Sequence, residues 1–283
     1  MNAIDLSFFR RSGDALVPTD MARSMWDDDQ MHGVAVSGAL ARAAERCLAE
    51  RGREDLRPAR YTVDLFRAAR MTESLVAAEV VREGPRILLV DVVLTQGGTR
   101  VARAGVVFLK PSESTAGTVW SPPAAERPVP PPLDVAPPTR EPHVPFIHSS
   151  AGWSQSFGAH QNAARKQSWN TAIPVVAGEP GTPFQAVAAI ADGASLVTNW
   201  GDRGVEHINT DITLALSRLP VDLSVGLAAV DRVEHDGIAV GTAAVLDREG
   251  PIGTVVVTSL ANAKRSVDIG GVEYADDGSR TRG

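Results

Sequence analysis

The chain has 283 residues, a net charge of -6 and a pI near 5.5, with 43% apolar and 22% charged residues, a balance typical of one large globular domain or two ordinary ones. The acidic charge, the lack of any basic run and the small complement of two tyrosines and seven phenylalanines argue against a nucleic-acid partner. A single cysteine, Cys47, excludes an internal disulfide and a cysteine-based zinc site.

In chain order, MNAIDLSFFRRSGD lacks an apolar core of signal-peptide length, and no apolar stretch is long enough to span a bilayer. A cytoplasmic protein without membrane attachment is therefore expected. HGVAVSGALARAAERCLAERG (32–52) has helical spacing, with Val36, Leu40, Ala43, Ala44 and Cys47 on one apolar face and Gly52 as the stop. RYTVDLFRAARM, ESLVAAEVVREG, RILLVDVVLTQGG and TRVARAGVVFLK follow as Val-rich alternating runs broken by Gly-containing turns, the pattern of antiparallel strands. Residues 111–145 then hold 11 of the 19 prolines. Proline removes donors and disfavours helix in the residue before it, so this stretch reads as an extended linker. Beyond it the order repeats: TPFQAVAAIADGASLVTNWG as a helix, then four strand runs from EHINTDITLALSRLP to PIGTVVVTSLANAK. The units are thus residues 1–110 and 146–265, with a polar, Gly-rich tail at 266–283 expected to be mobile.

The halves can be set in register. Glu45 precedes Asp64 by 19 residues, and Asp192 precedes Asp211 by 19, which aligns TVD (62–64) with NTD (209–211) and makes Glu45 the mate of Asp192. One long helix followed by a long antiparallel meander is solved physically by a sheet that curls around the helix. Each unit then has an exposed edge, and two units can join edges into one continuous sheet. The fold class is α+β: two helix-wrapped antiparallel sheets joined into one.

Four stretches carry a resemblance: MHGVAVSGALARAAE (31–45), VAGEPGTPFQAVAAIADGAS (176–195), HINTDITLALSRLP (207–220) and the region to DREGPIG (247–253). In these the chain resembles the acyl-CoA thioesterase II-like family of double hotdog proteins, in particular its actinobacterial branch. The resemblance implies hydrolysis of an acyl-CoA thioester to free acid and CoA, with no metal and no organic cofactor, at a site where the two hotdogs meet. A helix carboxylate, a strand hydroxyl and a glutamine position the water and the thioester carbonyl in that family.

Asp192 corresponds to the helix carboxylate. It follows an apolar run, where partial burial raises a carboxyl towards the range of a general base. Asn209 and Thr210 correspond to the strand position. Alternation puts Asn209 and Asp211 on one face and Thr210 on the other, and all three share a face only if a bulge intervenes. The glutamine aligns with Val257, which cannot orient water; Thr258 takes its place only after a one-residue shift. His32 and Gly33 open the first helix, whose bare N–H groups favour a carbonyl oxygen or anion. The site expectation is therefore Asp192, Asn209, Thr210 and Thr258 as catalytic residues, with His32, Gly33 and Asp211 on the substrate.

Other chemistries have less support. There is no GxSxG elbow for an α/β-hydrolase, and the six histidines show no metal-ligand spacing. A hotdog hydratase needs a histidine before the helix, and AGEPGTPFQ has none. Cys47 reads as core. Arg67, Arg70, Arg165 and Lys166 are candidate cations for CoA phosphates, though solvation explains each as well. Loss of the glutamine leaves an alternative: a binding protein for acyl-CoA or acyl-carrier protein with little or no turnover. Association into a homo-oligomer is compatible with the fold.

Overall fold

The computed structural model describes residues 6–262, 266–269, 272–274 and 280–282. A short hairpin, β1 (Phe9–Ser12) and β2 (Ala15–Pro18), precedes α1 (Gly33–Glu50) and the strands β3 (Arg57–Asp64), β4 (Leu75–Gly84), β5 (Ile87–Gln96) and β6 (Thr99–Leu109). After residues 111–145 come β7 (Phe146–Ser149), β8 (Gly152–Ser154) and β9 (Gln167–Thr171), then α2 (Pro183–Ile190) and α3 (Ala194–Asn199). The chain continues with β10 (Trp200–Gly201), β11 (Gly204–Val205), β12 (His207–Asn209), β13 (Asp211–Leu216), β14 (Ser224–His235), β15 (Ile238–Asp247) and β16 (Gly250–Ala261), and ends with β17 (Val272–Tyr274) and β18 (Arg280–Arg282).

One antiparallel sheet runs β4-β5-β6-β3-β13-β16-β15-β14-β9-β7-β8, with β12 also on β16. The two meanders thus meet edge to edge at β3 and β13, where Thr62 faces Thr213 and Asp64 faces Asp211. The turns of the two meanders fix the internal symmetry. Gly84–Ile87 and Gln96–Thr99 close the first, and His235–Ile238 and Asp247–Gly250 close the second, each residue 151 positions after its mate. This corrects the register expected from the 19-residue spacings, which implied an offset of 147. The mate of Asp192 is Ala41, and Glu45 is the mate of Leu196. A tight turn has no slack, so hairpins report the true register, whereas two acids at equal spacing did so only by coincidence.

Inside the curled sheet α1 and α2 lie against each other. Gly38 admits the approach, since a Cβ there would stand 3.1 Å from Val175 and 3.4 Å from Ala189. The Ser37 hydroxyl donates to Ala188 O at 2.6 Å, and Tyr61 donates to Ser37 O at 2.8 Å, so the buried polar atoms at the contact are satisfied. Of the expected apolar face, Val36, Leu40 and Ala44 are buried, while Ala43 and Cys47 pack partly buried against the same core. That core is continuous across both halves: Leu40, Tyr61, Phe108, Phe184, Ile212 and Val257 belong to one cluster.

Some parts were not anticipated. The β1–β2 hairpin clips onto the second half through Phe8 and Phe9, whose N–H groups donate to Pro174 O and Val175 O. Strands β7–β9 extend the sheet beyond β14. The Pro-rich stretch lies along the second half, where the Arg248 guanidinium donates to Pro131 O and Ala136 O and stacks over Trp169. Of the tail expected to be mobile, Val267 pairs with Val205 and Ile269 is buried in a satellite core with Ile147, Phe157 and Trp200; several other tail residues fall outside those described. Trp200 and its neighbours offer an apolar surface that the tail covers, which the tail's polar composition does not announce.

The RLP and DREG parts of the family motif meet at the far end of the strands. Arg218 makes a two-pronged ion pair with the fully buried carboxylate of Asp247, which also accepts from Val221 N–H and Glu249 N–H. Burial alone would raise the Asp247 carboxyl, but these donors outweigh it and hold the group below the ordinary carboxylate range. These motif residues fasten the strand-end loops.

Candidate active site

Asp192 stands in a single 3-10 turn, Ala191–Gly193, that separates α2 from α3. The expected single helix is broken there, and tight turns inside helices recur at functional positions. The turn delivers the Asp192 carboxylate to the start of α1. A Cβ on Gly33 would lie 2.2 Å from Asp192 Oδ1, so no other residue admits the carboxylate this closely. The backbone N–H of Val34 donates to it, and Asn209 Nδ2 donates to Oδ1 at 2.9 Å. Burial raises the Asp192 carboxyl above its ordinary value; the Asn209 amide and the Val34 N–H oppose that rise and do not cancel it. As whole residues Asp192 and Asn209 are partly buried, while the Asp192 carboxyl itself is enclosed.

His32 caps α1. Its Nδ1 accepts from Ala35 N–H at 3.0 Å, so the proton sits on Nε2, which donates to Met21 O at 2.8 Å. Both ring nitrogens are engaged within the protein, and its expected contact with substrate finds no free nitrogen. Gly33 N–H, the first of the helix, donates to no group of the described residues. Replacing His32 by alanine should cost about 1 kcal/mol of stability as a lost cap, and asparagine should restore much of it; urea unfolding of the three proteins measures this.

The NTD stretch contains the bulge that alternation required. Asn209 faces Ser259 and Thr213 faces Val256, so the three residues between them on one strand oppose two on the other. Thr210 and Asp211 both lie against Thr258: Thr210 N–H donates to Thr258 O, and Thr258 N–H donates to Asp211 Oδ1 at 2.8 Å. Asn209 therefore points inward to Asp192, and Thr210 and Asp211 share the outer face. This corrects the alternation that grouped Asn209 with Asp211. Thr258 is also on the outer face, so a shift of one residue cannot bring it to Asp192. Val257 points inward, fully buried in the core. Sequence reasoning missed Ser259, the next inward residue, directly opposite Asn209; its hydroxyl accepts from Asn199 Nδ2 at 3.1 Å and keeps its own proton to donate. The alternation that buries Val257 was the signal for it.

Two other polar clusters lie outside this site. Glu45 takes Thr182 Oγ1 at 2.7 Å and Gln185 Nε2 at 2.8 Å on Oε2, and burial raises its carboxyl against both. It lies one helical turn beyond Ala41, the true mate of Asp192, so it ties the start of α2 rather than repeating the Asp192 site. His160 sits between Ser149 and Ser154. Ser149 Oγ already accepts from Ala151 N–H and Asn162 Nδ2, so its proton goes to His160 Nδ1. The other nitrogen is then the N–H and donates to Ser154, which leaves no base to activate that serine. Among the described residues no group of His, Cys, Asp and Glu could hold a metal ion, and no helix is long and apolar enough to cross a membrane.

Comparison with known proteins bears on this geometry. Residues 22–109 match the model of the acyl-CoA thioesterase N-terminal domain, and residues 121–260 that of the C-terminal domain. No curated protein matches the chain. Among solved structures, the tesB protein of Mycobacterium avium subs paratuberculosis is 14% identical, with 89% of this chain and 95% of that chain covered at a TM-score of 0.60. The acyl-CoA thioesterase II TesB2 of Mycobacterium marinum is also 14% identical, with 90% and 94% covered at 0.57. A hot dog fold protein from Alicyclobacillus acidocaldarius is 20% identical, with 91% and 96% covered at 0.60. At such identities the likeness is one of fold, and the fold is a double hotdog.

Proposed function

The chain belongs to the acyl-CoA thioesterase family, whose two domains it carries in order, and on that premise we propose that it hydrolyses an acyl-CoA thioester with Asp192 as general base. The observation that carries the reading is the Asp192 carboxylate held between the open start of α1 and the Asn209 amide. Asp192 takes a proton from water, and the hydroxyl oxygen attacks the thioester carbonyl carbon. The carbonyl π electrons move to its oxygen, which the Gly33 N–H at the positive end of α1 stabilises. Collapse expels the CoA thiolate, and the proton on Asp192 returns to the sulfur. Asn209 orients the base, and the Ser259 hydroxyl supplies the donor that Val257 cannot. Thr210, Asp211 and Thr258, on the outer face, take no part in the proton transfers.

Val257 in the core favours a second reading, a binder with little turnover. Steady-state hydrolysis across short, medium and long acyl-CoAs decides between them: saturable turnover supports the thioesterase, and folded protein that turns over no member of the panel supports the binder. The pH profile adds a check. A base must be unprotonated, and burial raises this one, so kcat/KM should rise with pH through a limb lying above the ordinary aspartate value of about 4. A limb at or below that value would remove Asp192 from the role.

A further inference from the structure

An open groove of about 820 Å³ lies on the outer face of the sheet, bounded among others by Phe66, Val93, Arg100, Arg103, Asp211 and Thr258. Phe66 is 51% exposed at the groove. Arg103 spends two donors on Asp64 Oδ2, at 3.1 and 2.7 Å. Arg100 has no carboxylate partner among the described residues. Nor does Arg67, which follows Phe66 and is fixed beside the same strand by its N–H to Val101 O at 3.2 Å. The carboxylates in the groove are already engaged: Asp64 by Arg103, and Asp211 by Thr258 N–H. Arg100 is thus the guanidinium in the lining without a carboxylate partner among the described residues, set beside an exposed ring, and it suits an anion that carries an aromatic plane.

Internal symmetry shows that the sheet itself does not require these groups. The positions 151 residues after Val93, Arg100 and Arg103 are Ala244, Pro251 and Thr254. The groove and the Asp192 site lie on opposite faces of the sheet at the same strand ends. The bulge that turns Asn209 inward turns Thr210 and Asp211 into the groove. Leu65 N–H donates to Thr210 O, and four residues later Ala69 O accepts from Met31 N–H, next to the His32 cap. Five residues span at most about 17 Å, a reach comparable to that of an extended pantetheine arm.

We propose that this groove holds the adenine nucleotide end of coenzyme A, with Phe66 stacked on the base and Arg100, flanked by Arg67 and Arg103, on the phosphates. The assignment rests on the thioesterase reading and extends it: the site selects a CoA thioester over one carried by acyl-carrier protein, which lacks the nucleotide.

Calorimetry with free CoA and with adenosine 3′,5′-bisphosphate, on the wild type and Arg100→Glu, tests binding without chemistry. Both probes should bind the wild type and bind the variant on the order of tenfold more weakly or worse. In parallel, the ratio of kcat/KM on an acyl-CoA to that on the matching acyl-N-acetylcysteamine, which lacks the nucleotide, should fall at least tenfold in Arg100→Glu. In Asp192→Asn both substrates should lose together. Equal CoA affinity in the two proteins, or an unchanged ratio, would overturn the groove. So would preference for an acyl-carrier-protein thioester that free CoA does not inhibit. Wild type that hydrolyses neither substrate while still binding CoA through Arg100 would overturn the thioesterase reading and leave the groove standing.

Discussion

Replacing Asp192 by asparagine is expected to lower thioester turnover by about 10²–10⁴-fold, the usual contribution of a general base, without weakening the fold at pH 7. Asparagine keeps the shape, and its amide oxygen still accepts from Val34 N–H or Asn209. What it loses is the ability to take a proton. The stability half has a definite sign. Burial raises the folded-state value of Asp192, so this group favours the folded state most below its unfolded value and becomes a cost as pH rises through the folded one. At neutral pH the wild type bears that cost and the asparagine variant does not. The variant should therefore melt at the same temperature or higher at pH 7, with the gap closing in acid. Loss of turnover together with a lower melting point at pH 7 would mean that Asp192 holds the structure rather than the chemistry.

The largest effect on stability is expected from Arg218→Met. Methionine fills a similar volume but leaves the Asp247 carboxylate, with none of its side chain exposed, without its countercharge. Removing one partner of a buried pair costs about 3–5 kcal/mol. The Arg218 side chain keeps about a third of its surface in water, which places the loss nearer 2–3 kcal/mol. Asp247 sits below its ordinary value in the wild type, so its stabilising share is present above the unfolded value of about 3.9 and lost as pH falls through the folded one. In the variant burial acts unopposed by the guanidinium and raises the group. Urea unfolding should thus show the full deficit at pH 7 and a shrinking one in acid. A deficit that did not change with pH would point to packing rather than charge. Turnover at permissive temperature is a useful companion, since this pair lies at the opposite end of β13 from Asn209.

Much of the site was legible in the sequence, because its acid and its strand motif are both local patterns. An aspartate after VAAIA reads as a helix acid in apolar surroundings, and three adjacent polar residues near the start of an alternating run read as an interruption with a purpose. The function of each did not follow. Whether Asn209, Thr210 or Asp211 faced inward depended on one extra residue between Asn209 and Thr213, and a bulge is defined only against its partner strand. Likewise Thr258 looked like a substitute for the missing glutamine, but the ladder with β15 and β13 puts it outside and brings Ser259 in.

Two helix-plus-meander units, the proline-rich segment between them and the family could all be read from residue order. Helical spacing, strand alternation and proline content are properties of neighbouring residues and need no partner to be read. The 151-residue symmetry, which made Ala41 rather than Glu45 the mate of Asp192, emerged from the folded chain. It is likewise in the folded chain that His32 has both nitrogens engaged, that Gly33 is required because a carboxylate from the other half presses on it, and that the tail packs at Ile269. Each of these depends on contacts between residues far apart in the chain, where distance, burial and hydrogen-bond partners are set by how the two halves close on one another.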